Sequence, residues 1–287
     1  MKIKTINFHL WDSCNMRCKF CYATFMDIKD SKNEKSSLTL QEQINIINQM
    51  TLLGAEKVNF VGGEPTLCAW LPSLVKHAKS LGLVTSIVSN GWKFKDFEYM
   101  KQYEGILDWL GISVDSFQEE TLIKIGRGNI GKTPIKLVEY KEIFKNCKNL
   151  GIKTKINSVV MSENYGEFVS PIINELNPER WKVLKVMKVE GQNDNDFDNC
   201  NISNSQFKDF IEKNREKLSK NIVMVEEEDE LIRGSYIMID PKGRFFDSTT
   251  GKHHYSEPIL SIGINKAIAQ ISFSEAKFNL RGGNYAF

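Results

Sequence analysis

The sequence predicts an α/β fold, a partial (βα)6 TIM-like barrel with a small C-terminal extension. Two observations predict it. Up to about residue 190, short β-branched or aromatic runs alternate with longer helical patterns, and after Gly191 that rhythm stops. Strands that alternate with helices build a parallel sheet or a barrel. The chain has 287 residues, enough to bury a sizeable core.

Six strands are expected at Ile3–Leu10, Lys57–Val61, Val84–Ser89, Leu107–Val114, Lys153–Val160 and Arg180–Val186, each rich in Val, Ile, Phe or Trp. Helical periodicity fills the gaps at Leu38–Leu53, Trp70–Leu81, Lys95–Gln102, Pro134–Leu150 and Phe168–Leu176. Gln192–Ser205 is Asn/Asp-rich and reads as a loop, and Ser205 as the N-cap of a helix ending near Lys217. The acidic run Glu226–Glu230 reads as a solvated turn. Gly234–Phe246 reads as a hairpin around Asp240-Pro241-Lys242-Gly243. The lysine-rich segment Asp27–Ser37 reads as a mobile loop. We therefore divide the chain into a barrel core, residues 1–190, and an extension, residues 191–287, that closes the substrate site.

A formal net charge of +2 gives no global field to recruit nucleic acid or an acidic membrane. No run reaches membrane-spanning length, and the N-terminus goes straight into a strand pattern without a signal-peptide core. Of six cysteines, Cys68, Cys147 and Cys200 are scattered and read as buried free thiols. Cys14, Cys18 and Cys21 crowd into one segment directly after the first strand, with Phe20 before the last of them. Three thiolates from one loop suit an iron–sulfur cubane whose fourth iron stays open to a small molecule. The competing reading is a zinc site, for which His9 is the nearest fourth ligand.

The stretch Cys14-Asn15-Met16-Arg17-Cys18-Lys19-Phe20-Cys21 resembles the signature of the radical S-adenosylmethionine superfamily. Gly62-Gly63-Glu64-Pro65, after the second strand, resembles its second hallmark, a loop that meets the cofactor's methionine amine. The resemblance implies a [4Fe–4S] cluster and S-adenosyl-L-methionine.

Alternation along the strands adds an independent observation. Residues two apart on a strand share a face. Lys57 with Asn59, Lys155 with Asn157, and Arg180 with Lys182 form three polar stripes backed by Val58, Phe60, Ile156, Trp181 and Val183. Inside a barrel these stripes line the cavity. Several inward cations are costly without an anion, and their number suits a triphosphate.

Within the superfamily the chain resembles the viperin-like nucleotide-modifying enzymes over nearly its whole length. The resemblance runs through Asn7-Phe8-His9-Leu10, Lys57–Phe60, Ser86–Gly91, Ile112–Phe117, Ile125–Gly128, Lys155–Val159, Leu176–Val183, Ser235-Tyr236 and Arg281-Gly282-Gly283. It implies that Phe20, Gly62, Gly63, Glu64, Ser89, Asn90, Ser113 and Arg127 bind the cofactor, Arg127 through the cofactor's carboxylate. It implies that Asn7, Lys57, Asn59, Lys155, Asn157, Arg180, Lys182, Arg281 and Gly282 hold a nucleoside triphosphate, with Tyr236 near the reacting sugar. His9 then belongs to the strand rather than to a metal.

The implied reaction converts a ribonucleoside triphosphate (CTP first, then UTP or GTP) to its 3′-deoxy-3′,4′-didehydro analogue, an antiviral chain terminator. It starts from a 5′-deoxyadenosyl radical and needs an electron donor of flavodoxin or ferredoxin type. The family's membrane-binding leader has no counterpart here, so a cytoplasmic location is expected. Two departures concern the substrate: Val61 replaces a serine before Gly-Gly-Glu-Pro, and Asp247–Gly251 differs in the base-reading region, followed by His253, read as solvated, and His254, left open. A radical peptide maturase and a non-catalytic zinc module are the alternatives.

Overall fold

A computed structural model describes residues 3–29 and 37–284. The first six strands, β1 (Thr5–His9), β2 (Lys57–Val61), β3 (Val84–Ser89), β4 (Trp109–Ser113), β5 (Lys153–Val160) and β6 (Arg180–Lys185), lie side by side in chain order. Every neighbouring pair among them is parallel. The expected strands match to within two residues at each end.

The extension continues this sheet on both edges. The strand β7 (Val223–Glu227) adds parallel to β6, and β8 (Met238–Ile239) adds parallel to β1. The expected hairpin forms: β8 turns at Asp240–Gly243 into antiparallel β9 (Arg244–Asp247), which pairs with β10 (His254–Pro258). Asp240 closes the turn by accepting from the Lys242 and Arg244 amides at 3.0 and 2.8 Å and from the Arg244 guanidinium. The result is an open ten-stranded sheet in the order β10-β9-β8-β1-β2-β3-β4-β5-β6-β7.

Helices cover the outer face because each presents an apolar stripe to it. The helix Leu40–Leu52 starts from a capping box between Thr39 and Glu42 and buries Ile46, Ile47 and Met50. The helices Leu71–Ser80, Leu137–Asn149 and Ser170–Leu176 do the same with Leu74 and Val75, Ile143 and Phe144, and Ile173. Outward strand residues Phe8, Val58, Phe60, Ile87, Ile156, Trp181 and Val183 meet them in one continuous core.

Three local expectations need correction. The N-cap before Asn204–Arg215 is Ser203, not Ser205; its hydroxyl accepts from the Gln206 amide and Gln206 answers in a capping box. Gln192–Ser205 is not all loop, since Asp194–Cys200 is helical with acidic residues in its first turn, where the helix dipole favours them. The acidic run is neither a turn nor wholly solvated: it ends β7, and Glu227 is fully buried. The segment Asp27–Ser37 begins within the helix Met26–Lys29, and its residues 30–36 lie outside the described ones. Cys68, Cys147 and Cys200 are buried free thiols, as expected.

Candidate active site

The residues expected from the sequence to hold the cluster, the cofactor and the nucleotide line one cavity of about 310 Å³ on the inner face of the sheet. Cys14, Cys18, Cys21, Phe20, Gly62, Gly63, Glu64, Ser89, Asn90, Ser113 and Arg127 stand at the carboxyl ends of β1 to β4. Asn7, Lys57, Asn59, Lys155, Asn157, Arg180, Lys182, Tyr236, Arg281 and Gly282 line the rest. The polar stripes point inward as alternation requires, and their apolar neighbours are buried on the far side.

The cysteine loop is held by backbone contacts on two sides. The Gly63 amide donates to Trp11 O at 2.6 Å and the Glu64 amide to Ser13 O at 2.9 Å. Opposite, the Arg17 and Lys19 amides donate to Gly126 O and Ile125 O, and the Ile130 amide to Asn15 O at 2.6 Å. Glycine is required at these approaches. A Cβ on Gly63 would stand 2.2 Å from Ser13 O, and one on Gly126, whose φ is +76°, 2.0 Å from Arg17 O.

Glu64 ties the Gly-Gly-Glu-Pro loop to the end of β3. Its buried carboxylate accepts from the Thr66 amide and hydroxyl, the Ser89 hydroxyl at 2.7 Å and the Asn90 amide at 2.8 Å. Burial still pushes its carboxyl above the ordinary value. Asn90 in turn donates to Asn15 at 2.8 Å, and Asn15 to Asn129. Arg127 is buried, paired with Asp115 at 2.6 Å through Nε, and sits over the Phe20 ring at 5.3 Å.

The cysteines fit a cluster better than a single ion. Burial pushes the Cys18 thiol up to about 12, and the neighbouring Cys21 and Cys14 sulfurs push the same way; Cys14 is raised by burial and by Glu64 and Cys21. Three such thiolates are stable together only around a cationic centre. Among the described residues no three His, Cys, Asp or Glu side chains close around one ion. A cubane asks less of them, because its cysteines each bind a different iron.

His9 does not serve the zinc alternative. It shares the inward face of β1 with Asn7, yet packs edge-on to Phe25, Phe246 and Tyr22 at ring separations of 5.3, 5.2 and 6.3 Å. Burial lowers its pKa to about 3, and both ring nitrogens are buried without a hydrogen-bond partner although the residue borders the cavity. His253 is not solvated as expected: it packs on Phe25 and Phe246 and meets the Tyr255 hydroxyl at 3.0 Å. His254 is exposed, 3.6 Å from Asp247. Ser248 is the one residue of the 247–251 segment that lines the cavity.

Five cations face the lower cavity. Lys155 bonds the Ser86 hydroxyl at 3.1 Å, and Arg180 the Gly282 carbonyl at 3.1 Å. Burial holds the Lys57 pKa down to about 7 and that of Lys155 well below its ordinary value, and the crowding cations push both further down. Asn59 donates to Asn7 at 2.8 Å. Nothing in the sequence marks Glu227 as a residue that stands among these cations. Its carboxylate meets Lys182 at 2.8 Å, Arg281 at 3.4 Å and the Tyr236 hydroxyl. Tyr236 also accepts from Lys182 at 2.9 Å, and Arg281 lies over its ring at 3.7 Å.

Residues 9–170 match the family model of the radical SAM superfamily. Over 284 residues the chain is 43% identical to an S-adenosylmethionine-dependent nucleotide dehydratase of Lacinutrix mariniflava, covering 99% of this chain and 59% of that protein. It is 39% identical to a protein of the same name from Flammeovirga pacifica, covering 99% and 96%. Against S-adenosylmethionine-dependent nucleotide dehydratase RSAD2 of Danio rerio the figures are 34%, 99% and 78%. Among solved structures, native anSMEcpe with bound AdoMet superposes with a TM-score of 0.65 at 13% identity, covering 97% of this chain and 83% of that one. Streptococcus suis SuiB bound to S-adenosylmethionine gives 0.64 at 14%, covering 85% and 60%. The fold is thus shared with these two, at identities that carry no more than the fold.

Proposed function

Because the chain belongs to the radical SAM superfamily and, within it, to the S-adenosylmethionine-dependent nucleotide dehydratases, we propose that it dehydrates a ribonucleoside triphosphate. The observation that carries the reading is the charge of the cavity. Lys57, Lys155, Arg180, Lys182 and Arg281 line the same space as the three cysteines, with Glu227 the buried carboxylate among them. With Lys185, which also lines the cavity and lies 3.8 Å from Asp229, these cations outnumber the Glu227 carboxylate by several charges, an excess that a triphosphate neutralises.

Cys14, Cys18 and Cys21 would hold a [4Fe–4S] cluster, and the groups around Glu64, Ser89, Asn90, Ser113 and Arg127 would hold S-adenosylmethionine. Bound together, these supply a radical that takes the hydrogen atom from C4′ of the ribose. The chain's own residues have four tasks. Lys57, Lys155, Arg180, Lys182 and Arg281 fix the phosphates, and Asn7, Asn59 and Asn157 orient the nucleoside. The tail at Arg281 and Gly282 excludes water. Lys182 and Tyr236 supply the proton with which the 3′-oxygen leaves as water when the C3′–O bond breaks. One electron from a flavodoxin- or ferredoxin-type donor then closes the C3′–C4′ double bond. Residues 191–287 act as the part that completes the substrate site.

We take CTP as the first expected base and a cytoplasmic chain-terminating product as the biological outcome; among the described residues no helix is long and apolar enough to cross a membrane. The test is anaerobic incubation of reconstituted protein with S-adenosylmethionine and CTP, UTP, GTP or ATP in turn. We expect 5′-deoxyadenosine and a nucleotide lighter by one water with at least one of them. Cofactor cleavage indifferent to all four would overturn the reading.

A further inference from the structure

We infer that Glu227 is a positioning residue that weakens triphosphate binding in order to hold Lys182 and Tyr236 in one fixed arrangement for the nucleotide reaction. This rests on the proposed triphosphate site and goes one residue further into it.

Glu227 is the last residue of β7 and pairs across the sheet with Leu184. It is fully buried, where an uncompensated carboxylate is costly. Lys182 at 2.8 Å and Arg281 at 3.4 Å compensate it, and against burial these two cations, with the hydrogen bonds from Lys182 and Tyr236, hold its pKa below the ordinary value. A carboxylate here competes with phosphate for the same two cations. For anion binding alone a neutral residue would serve better, so the carboxylate needs another reason.

The hydrogen bonds supply one. A carboxylate can only accept, so the phenolic proton of Tyr236 points at Glu227. The Tyr236 oxygen is then left to accept from Lys182 at 2.9 Å. Without Glu227 the phenol is free to reverse that polarity, and the Lys182 ammonium loses the ion pair that keeps it charged: burial lowers its pKa to about 8, with Glu227 the first opposing influence. Fixed geometry of this kind is what a proton donor to a leaving oxygen requires.

The experiment compares wild type with Glu227→Gln and Glu227→Asp in the cluster-loaded protein. Affinity is read by calorimetry with tripolyphosphate and with CTP, turnover by product mass, and integrity by cluster absorbance and melting temperature. In Glu227→Gln we expect tripolyphosphate to bind roughly tenfold tighter, as for one charge removed at about 10 Å in an effective dielectric of about 20. Nucleotide-dependent turnover should fall on the order of 100-fold. In a Tyr236→Phe background the same substitution should cost less than it does in the wild type, because both remove the Tyr236–Glu227 hydrogen bond. Glu227→Asp keeps the charge but withdraws it, so affinity should hold and turnover should fall. That arm decides the matter if the Gln variant fails to fold. Weaker binding with unchanged turnover, additive losses with Tyr236→Phe, or an active Asp variant would overturn the inference. A wild type that binds neither probe would instead remove the proposed function.

Discussion

Gly63→Ala probes how tightly the cofactor loop and the cysteine loop are coupled. The added methyl would stand 2.2 Å from Ser13 O and 2.5 Å from Ser13 C, where ordinary contact begins at 3.4 Å. One backbone must therefore retreat by about 1 Å, and Ser13 is bonded directly to Cys14. The retreat also strains the Gly63-to-Trp11 and Glu64-to-Ser13 hydrogen bonds, each worth about 1 kcal/mol. A shift of about 1 Å at a reacting centre costs on the order of 100-fold in rate. The assay is 5′-deoxyadenosine formed per reconstituted cluster, with iron and sulfide counted in the same sample. Gly166→Ala, whose methyl meets nothing within 4 Å, is the control. Wild-type rates per cluster in Gly63→Ala would refute the claim that close backbone approach sets this geometry.

Three further outcomes are expected. Lys155→Met should weaken triphosphate binding by about tenfold or more and flatten its salt dependence, while cluster absorbance stays intact; equal affinities would take Lys155 out of the phosphate site. Lys57, near 7, is largely neutral in the free cavity at alkaline pH, burial shifts Lys155 well down in the same direction, and a bound polyanion raises both. Triphosphate binding should therefore take up protons and weaken as pH rises from 7 to 9, and calorimetry in buffers of different ionisation enthalpy that finds no proton uptake contradicts this. His9 stays neutral in the fold, with a pKa near 3 against 6.5 when unfolded. Its depressed value means stability is lost as pH falls below 6.5, by about 2 kcal/mol at pH 5. Denaturant unfolding of His9→Phe should lose less stability over that range than wild type; identical losses would exclude His9 as the source.

What the sequence revealed depended on how local the signal was. The strand Lys153–Val160 was readable to its ends because β-branched alternation is a property of eight neighbouring residues. The inward stripes followed from the same period of two, and Lys57, Asn59, Lys155, Asn157, Arg180 and Lys182 all reached one cavity. Glu227 was invisible because its burial is decided elsewhere: Lys182 and Arg281 approach it from 45 and 54 residues away in the chain. His9 reads as an ordinary strand residue until Phe25 and Phe246 close over it. The helix Asp194–Cys200 was missed because Asn and Asp favour turns in isolation and helix starts in context. Ser203 and Ser205 both suit an N-cap; the reciprocal bond from Gln206 selects the first.

The cavity draws on residues far apart in the chain, from the cysteines at 14 to 21 to Arg281 and Gly282, and Lys4 reaches Asn284 at 2.7 Å. During synthesis, then, the pocket cannot close before Arg281 and Gly282 have been made. A ribosome that stalls or a protease that trims before Arg281 leaves a chain with every cysteine and most of the sheet but an unfinished anion grip. The order of assembly thus follows from topology, since a copy cut before Arg281 would carry the three cysteines without the tail's cation.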